Sequence, residues 1–323
     1  MNLFLKNKIR FLVWVSWMLN GVLLAIIISH LWESGVRSSI VQGKFGLLFP
    51  GIAQIEYEEF AQQQKYTKIN YQPLRELILL NIKEYNDIFV SIYFEDLYSG
   101  SWIGLNEREK FKLASLLKVP LVAAVLKMEE NDYISLSRKV FIESRDLNDK
   151  SGSLYLKGSG YELTIRQLIE YTLIESDNTA ASALERIVPR HYIFDAIVAM
   201  GIPLTANVEG NFLHVSARDY SNILRSLYFS SYLRRRNSQL ILDLLAKTIY
   251  KEGLPAGVPA PLIVAHKMGY WTEGSYYLDC GIVYVPHVPY IFCMMLKGGT
   301  MQSQQKLISN ISYIVYQFIS NYE

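Results

Sequence analysis

Apolar, β-rich runs sit at both ends of this chain with a helical stretch between them, and that order restricts the fold more than any other feature. Ile88 to Phe94 (Ile-Phe-Val-Ser-Ile-Tyr-Phe) reads as a strand, Asp96 to Gly100 turns it, and Ser101 to Leu105 returns. Helical patterns dominate from Ser115 to about Ile197. Within them Thr164-Ile-Arg-Gln167 is a capping-box signature opening a helix whose apolar residues, Ile165, Leu168, Ile169 and Leu173, share one face. Strands then resume. Leu262 to Ala265 runs into His266-Lys267-Met268-Gly269, and Tyr276 to Val285 with Val288 to Leu296 forms a hairpin around Pro286 and Pro289. A helix after Pro73, with Leu74, Leu77, Leu79, Leu80 and Ile82 on its expected buried side, precedes the first strand. An amphipathic helix (Leu307, Ile308, Ile311, Ile314, Val315, Phe318) ends the chain. Strands, helices, strands and a helix in that order predict an α+β fold: an antiparallel β-sheet flanked by N- and C-terminal helices, with an inserted all-α lobe.

Ahead of this body, Phe11 to Ser29 is apolar except for Ser16, Asn20 and Gly21, which is long enough to cross a hydrocarbon core of about 30 Å. Lys6, Lys8 and Arg10 precede it, and the positive-inside rule then keeps the N-terminus in the cytoplasm. Trp14, Trp17 and Trp32 suit the membrane interfaces, and no small-x-small cleavage site follows Ile28. The expectation is an uncleaved, single-pass transmembrane helix with everything after about residue 35 outside the cytoplasm. The domain plan is a cytoplasmic stub and anchor over 1–34, a spacer over 35–70 broken by Gly43, Gly46, Pro50 and Gly51, and a folded domain over 71–323. In that domain an α/β lobe covers about 71–112 and 216–323, and a helical lobe about 113–215.

Composition excludes several classes. A net charge of +2 gives no electrostatic footprint for nucleic acid, and the one basic tract, Arg234-Arg235-Arg236, reads as a solvated face. No GxGxxG, Walker A or HExxH pattern occurs, so no cofactor and no metal are expected. The two cysteines, Cys280 and Cys293, lack metal-ligand spacing. They fall on consecutive strands and could face each other, and a disulfide is permitted outside the cytoplasm. Cross-strand bridges are often strained, so two buried free thiols are the expectation. His266 and His287 have no partner visible in sequence and read as structural.

Chemistry concentrates at Ser115-Leu116-Leu117-Lys118, where a helical apolar pattern begins. Residues i and i+3 share a helix face, so the Ser115 hydroxyl and the Lys118 amine converge while the leucines turn inward. Serine needs an adjacent base to act as a nucleophile, and a lysine serves once burial or nearby cations depress its pKa. Further on, Ser176-Asp177-Asn178 ends one helix, and by composition it is a turn followed by an N-cap.

Ser115-x-x-Lys118, Ser176-Asp177-Asn178 and Lys267-Met268-Gly269, in that order, resemble the three boxes of class A β-lactamases and penicillin-binding proteins. Their flanks agree: Phe94 to Gly100, Asp177 to Ala181, Leu254 to Pro259 and Asp279 to Tyr284, so that the likeness spans roughly residues 72–320. The resemblance implies a β-lactamase/transpeptidase-like fold in a bacterial envelope, acting on a β-lactam or a D-Ala-D-Ala-type peptide, with Ser115 attacking the carbonyl and Lys118 taking its proton or polarising it. Ser176, helped by Lys267, would relay a proton to the leaving nitrogen, and Asn178 would bind the substrate amide. Gly269 would let substrate lie along the strand edge. Backbone N–H groups of Ser115 and Tyr270 would form an oxyanion hole, where each donor contributes about 2.7–4 kcal/mol.

Two departures matter. Met268 replaces a hydroxyl residue in the third box, and Ser275 to Leu278 offers no basic residue for a substrate carboxylate, which leaves Thr272 or Ser275 as weak substitutes. Met268 also reads as a packing residue. The family's deacylating Glu-x-x-x-Asn is missing as well: Gly201 to Val215 is short for its omega loop, and Glu209, two residues before Asn211, is the one carboxylate there. Glu209 is therefore a candidate water-activating base at the wrong spacing, or simply a turn residue beside Gly210. The lead expectation is a membrane-anchored serine hydrolase of class A β-lactamase type that forms an acyl-enzyme, with slow deacylation. A D,D-peptidase and a catalytically weak β-lactam or peptidoglycan sensor are the alternatives.

Overall fold

The computed structural model describes residues 46–48, 69–203, 208–209 and 212–321, without the side chains of Val208, Glu209 and Phe212. The expected anchor at 11–29 and most of the 35–70 spacer lie outside the described residues. No described helix is long and apolar enough to cross a membrane.

The chain begins with α1 (Gln72–Ile82), the hairpin β1 (Ile88–Asp96) and β2 (Trp102–Leu105), and a short β3 (Lys110–Lys112). A 3-10 turn (Ala114–Leu117) passes straight into α2 (Lys118–Glu130). Next come β4 (Lys139–Phe141), β5 (Glu162–Thr164), α3 (Ile165–Ile174), α4 (Asn178–Ile187) and α5 (Arg190–Ala199). The strands β6 (Val208–Glu209) and β7 (Phe212–Ser216) precede α6 (Ala217–Tyr228) and α7 (Arg235–Ala246). Finally β8 (Val264–Trp271), β9 (Tyr276–Val283), β10 (Tyr290–Gly298) and α8 (Met301–Ser320) close the chain.

Both ends of this sequence meet in one antiparallel five-stranded sheet of order β2-β1-β10-β9-β8, as the strand order implies. Alternation along β10 divides the core in two. Ile291, Cys293 and Met295 join the cluster that runs on into the helices of the lobe. Tyr290, Phe292, Met294 and Leu296 join a second cluster with Leu74 and Ile78 of α1 and Leu307, Ile308, Ile311 and Val315 of α8. Strand side chains alternate faces, so an uninterrupted apolar run is what a strand buried on both sides requires. The predicted capping box opens α3: Gln167 N donates to Thr164 Oγ1 (3.2 Å), and Thr164 N to Gln167 Oε1 (2.9 Å). Arg234, Arg235 and Arg236 are exposed at the start of α7, where Arg236 pairs with Glu129.

Two expectations fail. Helix α1 buries Leu74 and Ile78, one turn apart, whereas Leu77 and Leu80 face solvent at 42% and 58% exposure. The helix touches the body along one narrow stripe, so a run rich in leucine overstated its buried side. Cys280 and Cys293 form a disulfide rather than two free thiols. The register sets them directly opposite each other on β9 and β10, with Cα atoms 4.1 Å apart and both side chains fully buried.

The α1 stripe is testable. Ile78→Ala should cost about 2–5 kcal/mol, as large-to-small core changes do, and Leu80→Ala should stay within about 0.5 kcal/mol. Urea unfolding of the two variants would show the contrast, and equal losses would disprove this orientation of α1.

Candidate active site

Ser115 sits in the 3-10 turn between β3 and α2. Pairing of β3 with β7 holds one side of that turn, and the buried Tyr220 hydroxyl donates to Leu116 O (3.1 Å) on the other. Ala114, just before the nucleophile, is left-handed at φ 46°. Such a backbone in a non-glycine residue is strained and clusters at functional sites.

Lys118, the first residue of α2, is only 7% exposed. Its Nζ lies 2.5 Å from Ser176 O, 2.5 Å from Asn178 Oδ1, 3.2 Å from Ser176 Oγ and 3.3 Å from Ser115 Oγ. The carbonyl and amide oxygens can only accept, so two N–H bonds of Lys118 are committed to them. A neutral amine has two such hydrogens and one lone pair, which is then left for the serine hydroxyls. Burial, opposed by the charges of Asp177 and Glu185, pulls the Lys118 ammonium down to about 8. The amide of Asn178 is oriented from its far side, where Nδ2 donates to Asn148 Oδ1 (3.1 Å).

Ser176, like Ala114, is left-handed, at φ 54° and 1% exposed. Its conformation is over-determined by Asp177, the N-cap of α4, whose carboxylate accepts from Ala180 N (2.8 Å), Ser153 N (2.7 Å) and Leu154 N (2.8 Å). Lys267 reaches Ser176 from the opposite side, donating to its Oγ (2.8 Å) and to Met268 O (3.0 Å). Fully buried, and beside Lys118, Lys267 is held well below the usual lysine range.

Strand β8 is the outer strand of the sheet and forms one wall of the cleft. At Gly269 an added Cβ would lie 2.8 Å from Leu116 Cδ1 and 3.2 Å from both Leu113 O and Ser115 N. Only glycine lets this strand close on the nucleophile turn. Tyr270 follows it along the cleft wall. Met268 packs with the α8 side of the core at 7% exposure, which fits the packing reading of that residue, and it also contributes to the cleft lining. His266 lies outside the cleft lining and has a partner the sequence did not advertise. Its Nδ1 lies 2.7 Å from Asp279 Oδ1 on β9, and its Nε2 is 3.0 Å from Tyr250 O.

Ser115, Lys118, Ser176, Asn178 and Tyr270 thus line one cleft of about 780 Å³, with Lys267 and Gly269 directly behind its surface. Such an arrangement can deprotonate a serine, carry an acyl group and return a proton to a leaving group. Within Gly201 to Val215, the stretch too short for the omega loop, the described residues pair as the β6–β7 ladder, Val208 opposite Leu213 and Glu209 opposite Phe212. The Glu209 side chain lies outside the described residues. Sequence reading missed Tyr220 and Asn148, because residues that hold a turn or an amide from a distant element carry no local signal.

Gly152 supplies a test of how Ser176 is positioned. At φ +91°, an added Cβ would fall 2.1 Å from Asp177 Oδ2 and 2.4 Å from Asp177 Cα. Gly152→Ala should therefore cost at least about 1–3 kcal/mol, and it should slow serine acylation by displacing Ser176 and Asn178. Thermal melts and labelling rates measure both effects; an unchanged labelling rate would refute the positioning role.

The profile of the Beta-lactamase enzyme family matches residues 72–319. The extended-spectrum β-lactamase PER-1 of Pseudomonas aeruginosa is 26% identical over 240 residues, covering 66% of this chain and 77% of that protein. Among solved structures, a mutant of PBP-A in an acyl-enzyme complex with penicillin G superposes with a TM-score of 0.70 at 22% identity, covering 77% of this chain and 97% of that one. A β-lactamase from Sphaerobacter thermophilus DSM 20745 gives 0.71 at 19% identity, covering 78% and 99%. At those identities the structural likeness speaks for the fold, while the match over residues 72–319 speaks for ancestry. This chain belongs to the β-lactamase enzyme family, as a serine hydrolase of β-lactamase type.

Proposed function

We propose that this protein is anchored in the cell membrane by residues 11–29, with its N-terminus in the cytoplasm, and uses Ser115 outside the cytoplasm to open β-lactams through an acyl-enzyme that it then hydrolyses. The observation that carries the reading is the hydrogen bonding of Lys118, whose Nζ serves two oxygens that can only accept and lies 3.3 Å from Ser115 Oγ. The capture of PBP-A as an acyl-enzyme with penicillin G supports the substrate class.

In this mechanism the Ser115 Oγ proton passes to Lys118 as Oγ attacks the lactam carbonyl carbon. Developing oxyanion charge is met by the backbone N–H groups of Ser115 and Tyr270. Ser176 Oγ, touching both Lys118 and Lys267, hands a proton to the departing ring nitrogen and recovers one from Lys118. Lys267 holds Ser176 in place through its hydrogen bond to Oγ. Asn178 presents its amide to the substrate side chain while keeping Lys118 in place. A D,D-peptidase acting on peptidoglycan peptides is the second reading. It is favoured by the β6–β7 ladder, which occupies the stretch where a class A enzyme carries its deacylating loop.

Intact-mass spectrometry of the full chain with a penicillin separates the readings. An adduct that forms and decays supports the β-lactamase; a persistent adduct, with rapid release from a D-Ala-D-Ala peptide, supports the peptidase. Ser115→Ala should abolish the adduct, and labelling that survives it would remove the nucleophile assignment. The pH profile follows from the lowered Lys118 ammonium. Below about 8 the neutral, proton-accepting fraction falls about tenfold per pH unit, so the acylation rate should climb with pH and level off above about 8. A profile flat from pH 6 to 9 would contradict Lys118 as the base.

A further inference from the structure

Helix α4 carries a stripe of residues into the cleft at the spacing of one helix face: Asn178, Ala181, Ser182 and Glu185. Asn178, at the N-terminal end of the stripe, touches Lys118. Glu185 stands two turns further along, and helical side chains lean toward the N-terminus, over the preceding turn. On this face that turn presents Ala181 and Ser182, so the helix lining between Glu185 and the Asn178–Lys118 contact is made of small side chains, in a cleft of about 780 Å³. Leu117 and Leu213 add apolar side chains to the lining of the same cleft. Glu185 makes no hydrogen bond or ion pair among the described residues. Of the two carboxylates in the cleft wall, it is the one on the Asn178 helix, whereas Glu273 lies past the far end of β8.

We propose that Glu185 is the general base that activates the deacylating water, in place of the omega-loop glutamate this chain lacks. The inference rests on the acyl-enzyme reading above and adds the residue that completes its cycle. Glu185 removes a proton from water as the water oxygen bonds to the acyl carbonyl carbon. The carbon–Oγ bond to Ser115 then breaks, the proton on Glu185 passes to the departing Oγ, and the hydroxyl stays on the product acid. The surroundings suit a base, since burial raises the Glu185 carboxyl above the usual glutamate range, with Lys118 from α2 and Arg190 from α5 opposing the rise. Lys112, Lys150 and Glu273 are the other charged side chains lining this cleft. A general base is most effective when its pKa lies near the working pH.

The test is a time-resolved intact-mass measurement on the full chain and on Glu185→Gln, each mixed with a penicillin. The variant should acylate within about threefold of the parent, which also shows that it is folded. It should release the acyl group about 100-fold more slowly or worse, the usual contribution of a general base. The parent's release rate should fall toward acid pH as Glu185 gains a proton, and the variant should lack that limb. Equal release from parent and variant overturns the assignment, as does a loss that follows Glu209→Gln instead. A parent chain that never forms the adduct overturns the acyl-enzyme reading and this proposal with it, whereas a parent adduct that persists as long as the variant's overturns the role of Glu185 alone.

Discussion

A lysine amine removed from water controls the architecture of this site. Burying an ammonium costs several kcal/mol unless it is paired or gives up its proton, and Lys118 is surrounded chiefly by neutral oxygens. Those oxygens come from two separated places: the turn before α2, and the segment from the left-handed Ser176 to Asn178, the first residue of α4. The same amine therefore measures whether the lobe and the sheet are correctly assembled, because Lys267, arriving on β8, shares Ser176 with it. Two lysines converge on one hydroxyl, and the Lys118 charge adds to burial in making Lys267 harder to protonate.

Most of the fold was legible because its signals are local or periodic. The run Ile88 to Phe94 and the hairpin around Pro286 and Pro289 announce strands, Thr164 and Gln167 announce a helix start, and the sheet can be closed only by joining them. The boxes at Ser115, Ser176 and Lys267 were legible because the chemistry needs particular residue types at short spacing. What escaped depends on tertiary placement. Leu77 and Leu80 have the composition of buried residues, and only the narrow contact of α1 leaves them in solvent. The pairing of Cys280 with Cys293 follows from strand register, which one added or removed turn residue would shift. Tyr220 holds the nucleophile turn across 104 residues of sequence, and nothing near position 220 says so.

Strand β8 shows how a single element serves two environments. Lys267 reaches Ser176 and Gly269 closes on the nucleophile turn, while His266 and Met268 are buried, Met268 with the α8 side of the core as well as at the cleft lining. Alternation along the strand separates the first pair from the second. Met268 answers to packing, and the buried His266–Asp279 contact pins the strand from behind without touching the cleft.

The left-handed backbones at Ala114 and Ser176 bear on how such a molecule responds to selection. Each costs about 1–2 kcal/mol relative to an ordinary helical or extended residue, and glycine would relieve the cost at either position. A population enriched for heat resistance alone would drift toward glycine at both places. At 114 the drift would loosen the hinge behind the nucleophile, and at 176 it would delete the hydroxyl both lysines share. Thermal robustness and turnover thus pull in opposite directions at two backbone positions of one site, and the residues found there record which demand prevailed.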